Sequence, residues 1–143
     1  VGGNMIHLVR GWMNELVVFV DPCSTVTDAL SVMRRRYTNA LVTKKTEQSP
    51  EYGIITSLDI CDKIVAQGRN PSKTTVKDIM SSPLIKVDAE MTIEECAKTM
   101  RKHNIHHLPV IDETGKVIGL ISASDFLIVA EQMGYGSDER VLC

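Results

Sequence analysis

The sequence predicts an α+β protein of the α/β type, in which one strand–helix–strand–strand–helix unit occurs twice. The heptad G-I-I-T-S-L-D at residues 53–59 returns as G-L-I-S-A-S-D at residues 119–125. Val20-Asp21 returns 67 residues later as Val87-Asp88, and Met13 returns as Met80 at the same spacing. Short apolar runs alternate with segments whose apolar residues recur every three or four positions, which is typical of strands followed by helices. Two copies are fewer than a solenoid needs, so the pattern indicates a duplicated unit.

The elements of the first copy follow from local signals. A β-branched and aromatic run bounded by Asp21-Pro22 predicts a buried strand, and Thr25-x-x-Asp28 before an apolar stripe predicts a capped helix. Gly68 predicts the end of the second helix. In chain order we predict a lead helix at 5–13, a strand at 17–20, a helix from Thr25, strands at 39–43 and 52–55 joined by a loop at 44–51, and a helix from Thr56 or Ser57 to Gly68.

The second copy repeats this order after a polar linker that contains Pro71. The run Asp112-Glu113-Thr114-Gly115 predicts a tight reversal between its last two strands. We predict a strand at 84–87, a helix at 92–102, strands at 107–111 and 116–121, and a helix at 122–133. By domain, we expect a first repeat with its lead helix at 1–68, a linker at 69–75, a second repeat at 76–133 and a loose tail at 134–143.

Composition excludes several classes of protein. The chain has 143 residues, 43% of them hydrophobic, and a net charge of −2, which argues against the basic stripe of a nonspecific nucleic-acid binder. No apolar stretch approaches the roughly 20 residues that span a bilayer, and we find no signal-peptide pattern. The four cysteines lack the spacing of disulfide frameworks or zinc sites, and two of them, Cys61 and Cys96, fall in helical patterns that predict core positions. We therefore expect a cytoplasmic protein with reduced thiols that binds neither nucleic acid nor membrane.

Two further motifs accompany the heptads. They are V-K-D-I-M-S-S-P-L at residues 76–84 and N-I-H-H-L-P-V-I-D at residues 104–112. Together with the two heptads, they resemble a tandem pair of cystathionine-β-synthase (CBS) domains over about residues 9–131. The first copy departs most from that pattern, because residues 37–42 lack the H-x-L-P-V run and the loop at 44–51 is longer.

The resemblance implies a regulatory module rather than an enzyme. In such modules two copies pack about a pseudo-twofold axis and leave clefts for adenosine-type ligands, here AMP, ADP, ATP or S-adenosylmethionine. The module needs no cofactor, and it signals through changed packing or through a partner protein. We expect a homodimer, since the helices at 60–65 and 126–129 look too apolar for the surface of a monomer.

The heptads supply the central candidate residues of this site. A carboxylate suits the two vicinal hydroxyls of a ribose, so we assign ribose binding to Asp59 and Asp125. Thr56 and Ser122 begin helices, where free backbone N–H groups favour a phosphate or ribose oxygen. Because each carboxylate follows its hydroxyl by three positions, both lie on one side of the first helical turn.

Flanking segments supply the remaining candidates. His106 and His107 should point to opposite sides at the start of a strand, so that one faces a phosphate. A histidine against a phosphate becomes cationic, and binding then weakens as the pH rises. Arg101 and Lys102 are outside candidates for the same contact. We expect adenine walls at Leu16, Val17, Val18, Pro83, Leu84 and Ile85, and close approach of backbone or base at Gly53 and Gly119.

Other interpretations use the same residues. The pattern [ST]-x-x-[DE] is also a helix capping signal, so the chain also fits a ligand-free interaction or dimerisation module. A cluster of His103, His106 and His107 lacks the ligand spacing of a metal site, and we predict none. A cation regulator would need the acidic group Asp88, Glu90, Glu94 and Glu95, which lies where acids favour a helix start. No nucleophile and base stand in catalytic order, and we therefore predict no enzymatic activity.

Overall fold

The computed structural model describes residues 7–134, and these form two compact units. The first unit is Leu16–Ile85, and the second unit joins residues 7–15 to residues 86–134. These units do not coincide with the sequence repeats. The leading segment of the first repeat belongs to the second unit, and the leading segment of the second repeat belongs to the first unit. Of the tail predicted at 134–143, the structure describes only residue 134. The prediction for residues 135–143 lies outside the described residues.

The first unit is a three-stranded sheet with helices attached. Strand β1 runs parallel to β2, and β2 runs antiparallel to β3, with Leu41 opposite Ile55 in the register. Both of these side chains are fully buried. Burying a side chain of this size contributes roughly 1.5–3 kcal/mol. The elements are β1 (Phe19–Val20), α1 (Val26–Arg36), β2 (Ala40–Thr43), β3 (Gly53–Thr56), α2 (Ser57–Asp59, continued by π-helical turns at Ile60–Val65) and α3 (Val76–Ile79).

The second unit repeats this architecture. Strand β4 is parallel to β5, and β5 is antiparallel to β6, with fully buried Leu108 opposite Ile121. The elements are β4 (Val87–Asp88), α4 (Ile93–His103), β5 (His107–Ile111), β6 (Val117–Ser122) and α5 (Asp125–Met133). The predicted α+β class and the duplication are therefore confirmed.

Helix ends follow the capping signals of the sequence. Thr25 accepts a hydrogen bond from the Asp28 backbone N–H at 3.1 Å, and the Asp28 carboxylate accepts one from the Thr25 N–H at 3.4 Å. Thr92 and Glu95 form the same reciprocal box at the start of α4. Helix α1 ends at Tyr37, whose φ is 52°. This left-handed backbone conformation is rare for residues other than glycine and asparagine.

The leading segment of the chain completes the second unit. Leu8 bridges to Thr92, and Asn14 bridges to Leu120 on the free edge of β6. The predicted lead helix at 5–13 is wrong over its described part, which contains only a 3₁₀ turn at Val9–Gly11. The physical reason is that both ends of this segment form backbone bridges, Leu8 with the start of α4 and Asn14 with the edge of β6, and such bridges require extended backbone.

The segment after the linker completes the first unit in the same way. Thr75 bridges to Thr25, and Ser81 bridges to Ile54 on the free edge of β3. The Val76 N–H donates to the Ser24 carbonyl at 2.9 Å, as the Val9 N–H donates to the Met91 carbonyl at 2.9 Å in the second unit. The two leading segments are thus exchanged between the copies. Helix α3, which this segment contains, was not among the elements predicted from the sequence.

Each unit has its own hydrophobic core. Cys96 belongs to the core of the second unit, as predicted, and burial raises the pKa of its thiol to about 11. Cys61 is exposed, so its predicted core position is wrong. The core of the first unit contains Val20, Val26, Ala29, Met33, Leu41, Ile55, Ile64, Val76 and Ile79. That of the second contains Val9, Val87, Ile93, Cys96, Met100, Leu108, Val110, Ile121 and Val129. Within residues 7–134, no helix has the length and apolarity that a membrane span requires.

Candidate functional site

The first candidate site is the turn at which β3 passes into α2. Its two polar side chains cap the helix reciprocally. The Asp59 Oδ2 atom accepts hydrogen bonds from the Thr56 backbone N–H at 2.9 Å and from the Thr56 hydroxyl at 3.3 Å. The Thr56 hydroxyl oxygen in turn accepts from the Asp59 N–H at 3.4 Å. The carboxylate is therefore positioned by the turn itself, and its side chain is only 13% exposed.

Lys63 contacts the second oxygen of this carboxylate. Its Nζ lies 3.1 Å from Asp59 Oδ1 and donates to the Ile79 carbonyl at 2.8 Å. The Lys63 side chain is 38% exposed, so the ion pair is partly shielded from water. Sequence reasoning missed this residue, although the spacing of four between an acid and a lysine on a helix is a known pairing signal.

The second candidate site is the equivalent turn between β6 and α5. The Asp125 Oδ2 atom accepts from the Ser122 backbone N–H at 2.8 Å and from the Ser122 hydroxyl at 3.2 Å. The Ser122 and Ser124 hydroxyl oxygens are 2.8 Å apart and share a hydrogen bond. As in the first turn, the carboxylate is partly buried and one of its oxygens is held by the backbone.

His107 lies beside the second turn. In the antiparallel register it stands opposite Ser122, so the two side chains project from the same face of the sheet. Burial lowers the pKa of His107 below its usual value, His106 lowers it further, and Asp125 opposes both. In the first turn the corresponding residue opposite Thr56 is Ala40. The two turns therefore share a hydroxyl and a carboxylate but differ in the groups around them.

His106 has a different environment. Its side chain is exposed, and its backbone carbonyl accepts a hydrogen bond from the Ala123 N–H at 2.9 Å. An open groove of about 250 Å³ runs between α4 and α5 past this residue. It also contains Arg101, one of the outside candidates. The groove is lined by Ala97, Met100, Arg101, Asn104, Ile105, His106, Ala123 and Phe126.

Gly53 and Gly119 are enclosed by the protein itself. A Cβ placed on Gly53 would lie 2.7 Å from Met80 Sδ, 2.9 Å from Thr43 Oγ1 and 3.1 Å from the Ser81 carbonyl oxygen. A Cβ on Gly119 would overlap the Met13 side chain, with Cγ at 2.9 Å. Residues of the exchanged segments therefore fill the side to which a Cβ of either glycine would point. The close approach of a ligand base at these glycines stays a prediction.

The six expected adenine-wall residues all belong to the first unit, but their exposure differs. Leu16 is 84% exposed, and Ile85 and Pro83 are also exposed. Leu84 is buried, and Val18 packs partly against the core of the first unit. The exposed members remain available to a ligand, whereas the Leu84 side chain has little free surface. Val17 is half-buried.

The apolar helices after the heptads are less exposed than predicted. Ile64 and Val129 are core residues, so the surface predicted at 60–65 and 126–129 is smaller than the sequence suggested. Leu127 and Ile128 on α5 are nevertheless exposed, at 72% and 54%. Among the described residues, no group of three or more metal-ligating side chains is placed to hold an ion.

Comparison with known proteins defines the class of this chain. The family model of the CBS domain matches residues 9–66 and again residues 76–131. The chain therefore belongs to the CBS domain family and carries two copies of the domain.

Individual relatives differ in length and in name. An uncharacterised protein of Methanopyrus kandleri is 35% identical over 113 residues, which cover 79% of this chain and 57% of that protein. A CBS domain-containing protein of Bacillus subtilis is 29% identical over 120 residues, which cover 84% and 83%. A homoserine O-acetyltransferase of Methanosphaerula palustris is 38% identical over 116 residues, but these cover only 22% of that enzyme. The chain thus spans little more than half of the first relative and a small part of the third.

Solved structures show the same fold. A hexameric CBS-CP12 protein from bloom-forming cyanobacteria superposes with a TM-score of 0.84 at 28% identity, covering 98% of this chain and 80% of that one. The CBS domain pair of protein MJ0100, solved in complex with 5'-methylthioadenosine and S-adenosyl-L-methionine, superposes with a TM-score of 0.77 at 26% identity. That match covers 90% of this chain and 98% of the other.

Proposed function

We propose that this chain is a regulatory module that binds an adenosine-type ligand at its strand-to-helix turns. The observation that carries the proposal is that each copy holds a partly buried carboxylate, Asp59 or Asp125, at the same turn, with one oxygen tied to the backbone. A carboxylate held in this way loses little conformational freedom when it accepts the two hydroxyls of a ribose. Support comes from a relative of the same fold that was solved with 5'-methylthioadenosine and S-adenosylmethionine.

Phosphate recognition is assigned to the groups beside the second turn. Ser122 and His107 project from one face of the sheet, and both are able to donate to an anionic oxygen. Binding of a phosphate favours the cationic form of His107, whose pKa is low in the ligand-free protein. Phosphate binding is therefore coupled to proton uptake, and it weakens as the pH rises.

The module acts without catalysis in this proposal. In the first turn the hydroxyl and the carboxylate cap the helix reciprocally, whereas in the second turn the carboxylate only accepts from the Ser122 N–H and hydroxyl. His107 stands beside the second turn alone. The signal passes to a partner protein or to a second copy of the chain, and the exposed Leu127 and Ile128 are candidates for that contact. A ligand changes such an equilibrium only to the extent that it binds one state better than the other.

Calorimetric titration with AMP, ADP, ATP and S-adenosylmethionine tests the proposal. Asp59→Asn and Asp125→Asn keep a capping oxygen but lose the charge, so binding should weaken in at least one of them. Asp28→Asn is the matched control, because Asp28 forms the same kind of capping box outside the heptads. An equal loss in the control variant, or no heat from any of the four ligands, would refute ligand sensing.

A ligand-free interaction module is the second candidate function. It is favoured by the reciprocal capping of Thr56 and Asp59, which accounts for both side chains without a ligand. Sedimentation velocity with and without ligand separates the two functions. The interaction module predicts an assembly that none of the four ligands changes, whereas the sensor predicts a shift in mass or shape with the ligand that binds.

A further inference from the structure

The carboxylates of the two turns, Asp59 and Asp125, have different neighbours one helical turn further along. In the first unit Lys63 pairs with Asp59, with 3.1 Å between Nζ and Oδ1. The same ammonium donates to the Ile79 carbonyl at 2.8 Å. Because two acceptors hold Lys63, its ammonium is fixed beside the carboxylate rather than free to move into solvent.

The second unit has no lysine at this place. The repeat offset of 66 residues puts Val129 where Lys63 stands in the first copy. Val129 is 4% exposed and belongs to the core. Both hydrogen bonds from Ser122 to Asp125 go to Oδ2, and Val129 brings no charge to this position of the helix.

This difference determines what each carboxylate offers a ligand. To accept both hydroxyls of a ribose, a carboxylate must have lone pairs free and must keep its negative charge uncompensated. At Asp59 one oxygen is occupied by the capping bonds and the other by the ammonium. A ribose at this turn must displace or share a partly buried ion pair, whereas at Asp125 it need not.

The residues opposite the Thr56 and Ser122 hydroxyls also differ between the two turns. His107 stands opposite Ser122 and offers a polar ring, but the residue opposite Thr56 is Ala40, which offers only a methyl group. The second turn therefore has an additional hydrogen-bonding side chain and a carboxylate without a lysine beside it, and the first turn has neither feature.

We propose that the chain takes its adenosine-type ligand at the Asp125 turn alone, and that Lys63 keeps the Asp59 turn closed to ribose by acting as the internal counter-ion of Asp59. This inference rests on the proposed function, since it identifies which of the two turns performs it. Lys63 is then the residue that sets the number of ligands per chain.

The test is calorimetric stoichiometry on the whole chain with AMP, ADP, ATP and S-adenosylmethionine. We expect one site per chain for the ligand that binds. Asp125→Asn should weaken binding about tenfold or more, because a charge-assisted hydrogen bond is lost, while the matched control Asp28→Asn should leave affinity within about twofold. Thermal denaturation of each variant checks that it is folded.

Substitutions of Lys63 provide the decisive comparison. Lys63→Gln removes the charge but can still donate to Ile79, so a second site should appear and the stoichiometry should rise from one to two. Lys63→Arg keeps the counter-ion, and its stoichiometry should stay at one. Two sites in the unmodified chain, loss of binding in Asp59→Asn, or one site in Lys63→Gln would each overturn this inference and leave ligand sensing intact. No binding of any of the four ligands would instead remove the proposed function itself.

Discussion

Gly119 on β6 is enclosed by the side chain of Met13, and replacing this glycine by alanine should destabilise the second unit. A methyl group at this position would lie 2.9 Å from Met13 Cγ and 3.2 Å from Met13 Cβ, and it would overlap the sulfur as well. Ordinary van der Waals contacts begin near 3.4 Å. Overpacking of this kind typically costs about 1–3 kcal/mol, and we expect Gly119→Ala to fall in that range.

A second substitution shows whether the overlap with Met13, rather than some other effect of Gly119→Ala, causes the loss of stability. In the double variant Met13→Ala/Gly119→Ala the new methyl has room, so its cost should be mostly recovered. We expect a coupling energy of about 1 kcal/mol or more between the two positions. Urea denaturation followed by circular dichroism measures the four free energies of unfolding that this cycle requires.

Gly53 provides a matched comparison in the first unit. Its Cβ would meet Met80 Sδ at 2.7 Å but also Thr43 Oγ1 at 2.9 Å and the Ser81 carbonyl at 3.1 Å. The carbonyl belongs to the backbone and cannot move aside, so Met80→Ala should recover less of the cost of Gly53→Ala. If Gly119→Ala costs less than about 0.5 kcal/mol, or shows no coupling to Met13, then the leading segment does not pack on β6 and the exchange of segments is refuted.

Two further predictions concern single residues. The lowered pKa of His107 means that the folded protein binds a proton there less readily than the unfolded chain, whose histidine titrates near 6.5. Stability that is fully present above pH 6.5 should therefore be lost as the pH falls below it. The free energy of unfolding should fall more between pH 7.5 and about pH 5 in the unmodified chain than in His107→Asn, and equal slopes in urea denaturation would contradict this. At the end of α1, Tyr37 is 97% exposed with φ 52°, so Tyr37→Gly should raise the free energy of unfolding by about 0.5–1 kcal/mol by removing left-handed strain. A decrease in stability on the same assay would show that the residue is not strained.

Local signals predicted most of the elements. The capping pairs of Thr25 with Asp28 and of Thr92 with Glu95 mark helix starts correctly, because capping depends on residues only three apart. The predicted strand at 107–111 coincides with β5. The heptad marks the start of α2 at Thr56 for the same local reason. The predicted helix start at Ser122 is wrong, because Ser122 ends β6 and α5 begins at Asp125 without a side-chain cap.

Contacts at long range account for the elements that were missed. The leading segment was predicted as a helix, but its ends pair with Thr92 and Leu120, which are far away in sequence. The π-helical turns at Ile60–Val65 left no sign in the sequence. The pairing of Lys63 with Asp59 has helical spacing and was therefore predictable, but its second bond to Ile79 was not.

The sequence by itself determined the duplication, the order of the strands, the capped starts of α1, α2 and α4 and the position of a carboxylate at each turn. The capped helix starts and the carboxylate positions depend on residues that are close together in sequence, so a local pattern of residue types is enough to predict them. Only the tertiary structure decided which copy each leading segment completes, which methionine encloses each glycine, and which carboxylate carries a doubly held counter-ion. The reason is that pairing and packing across tens of residues depend on how well surfaces fit together, and a local pattern of residue types does not contain that information.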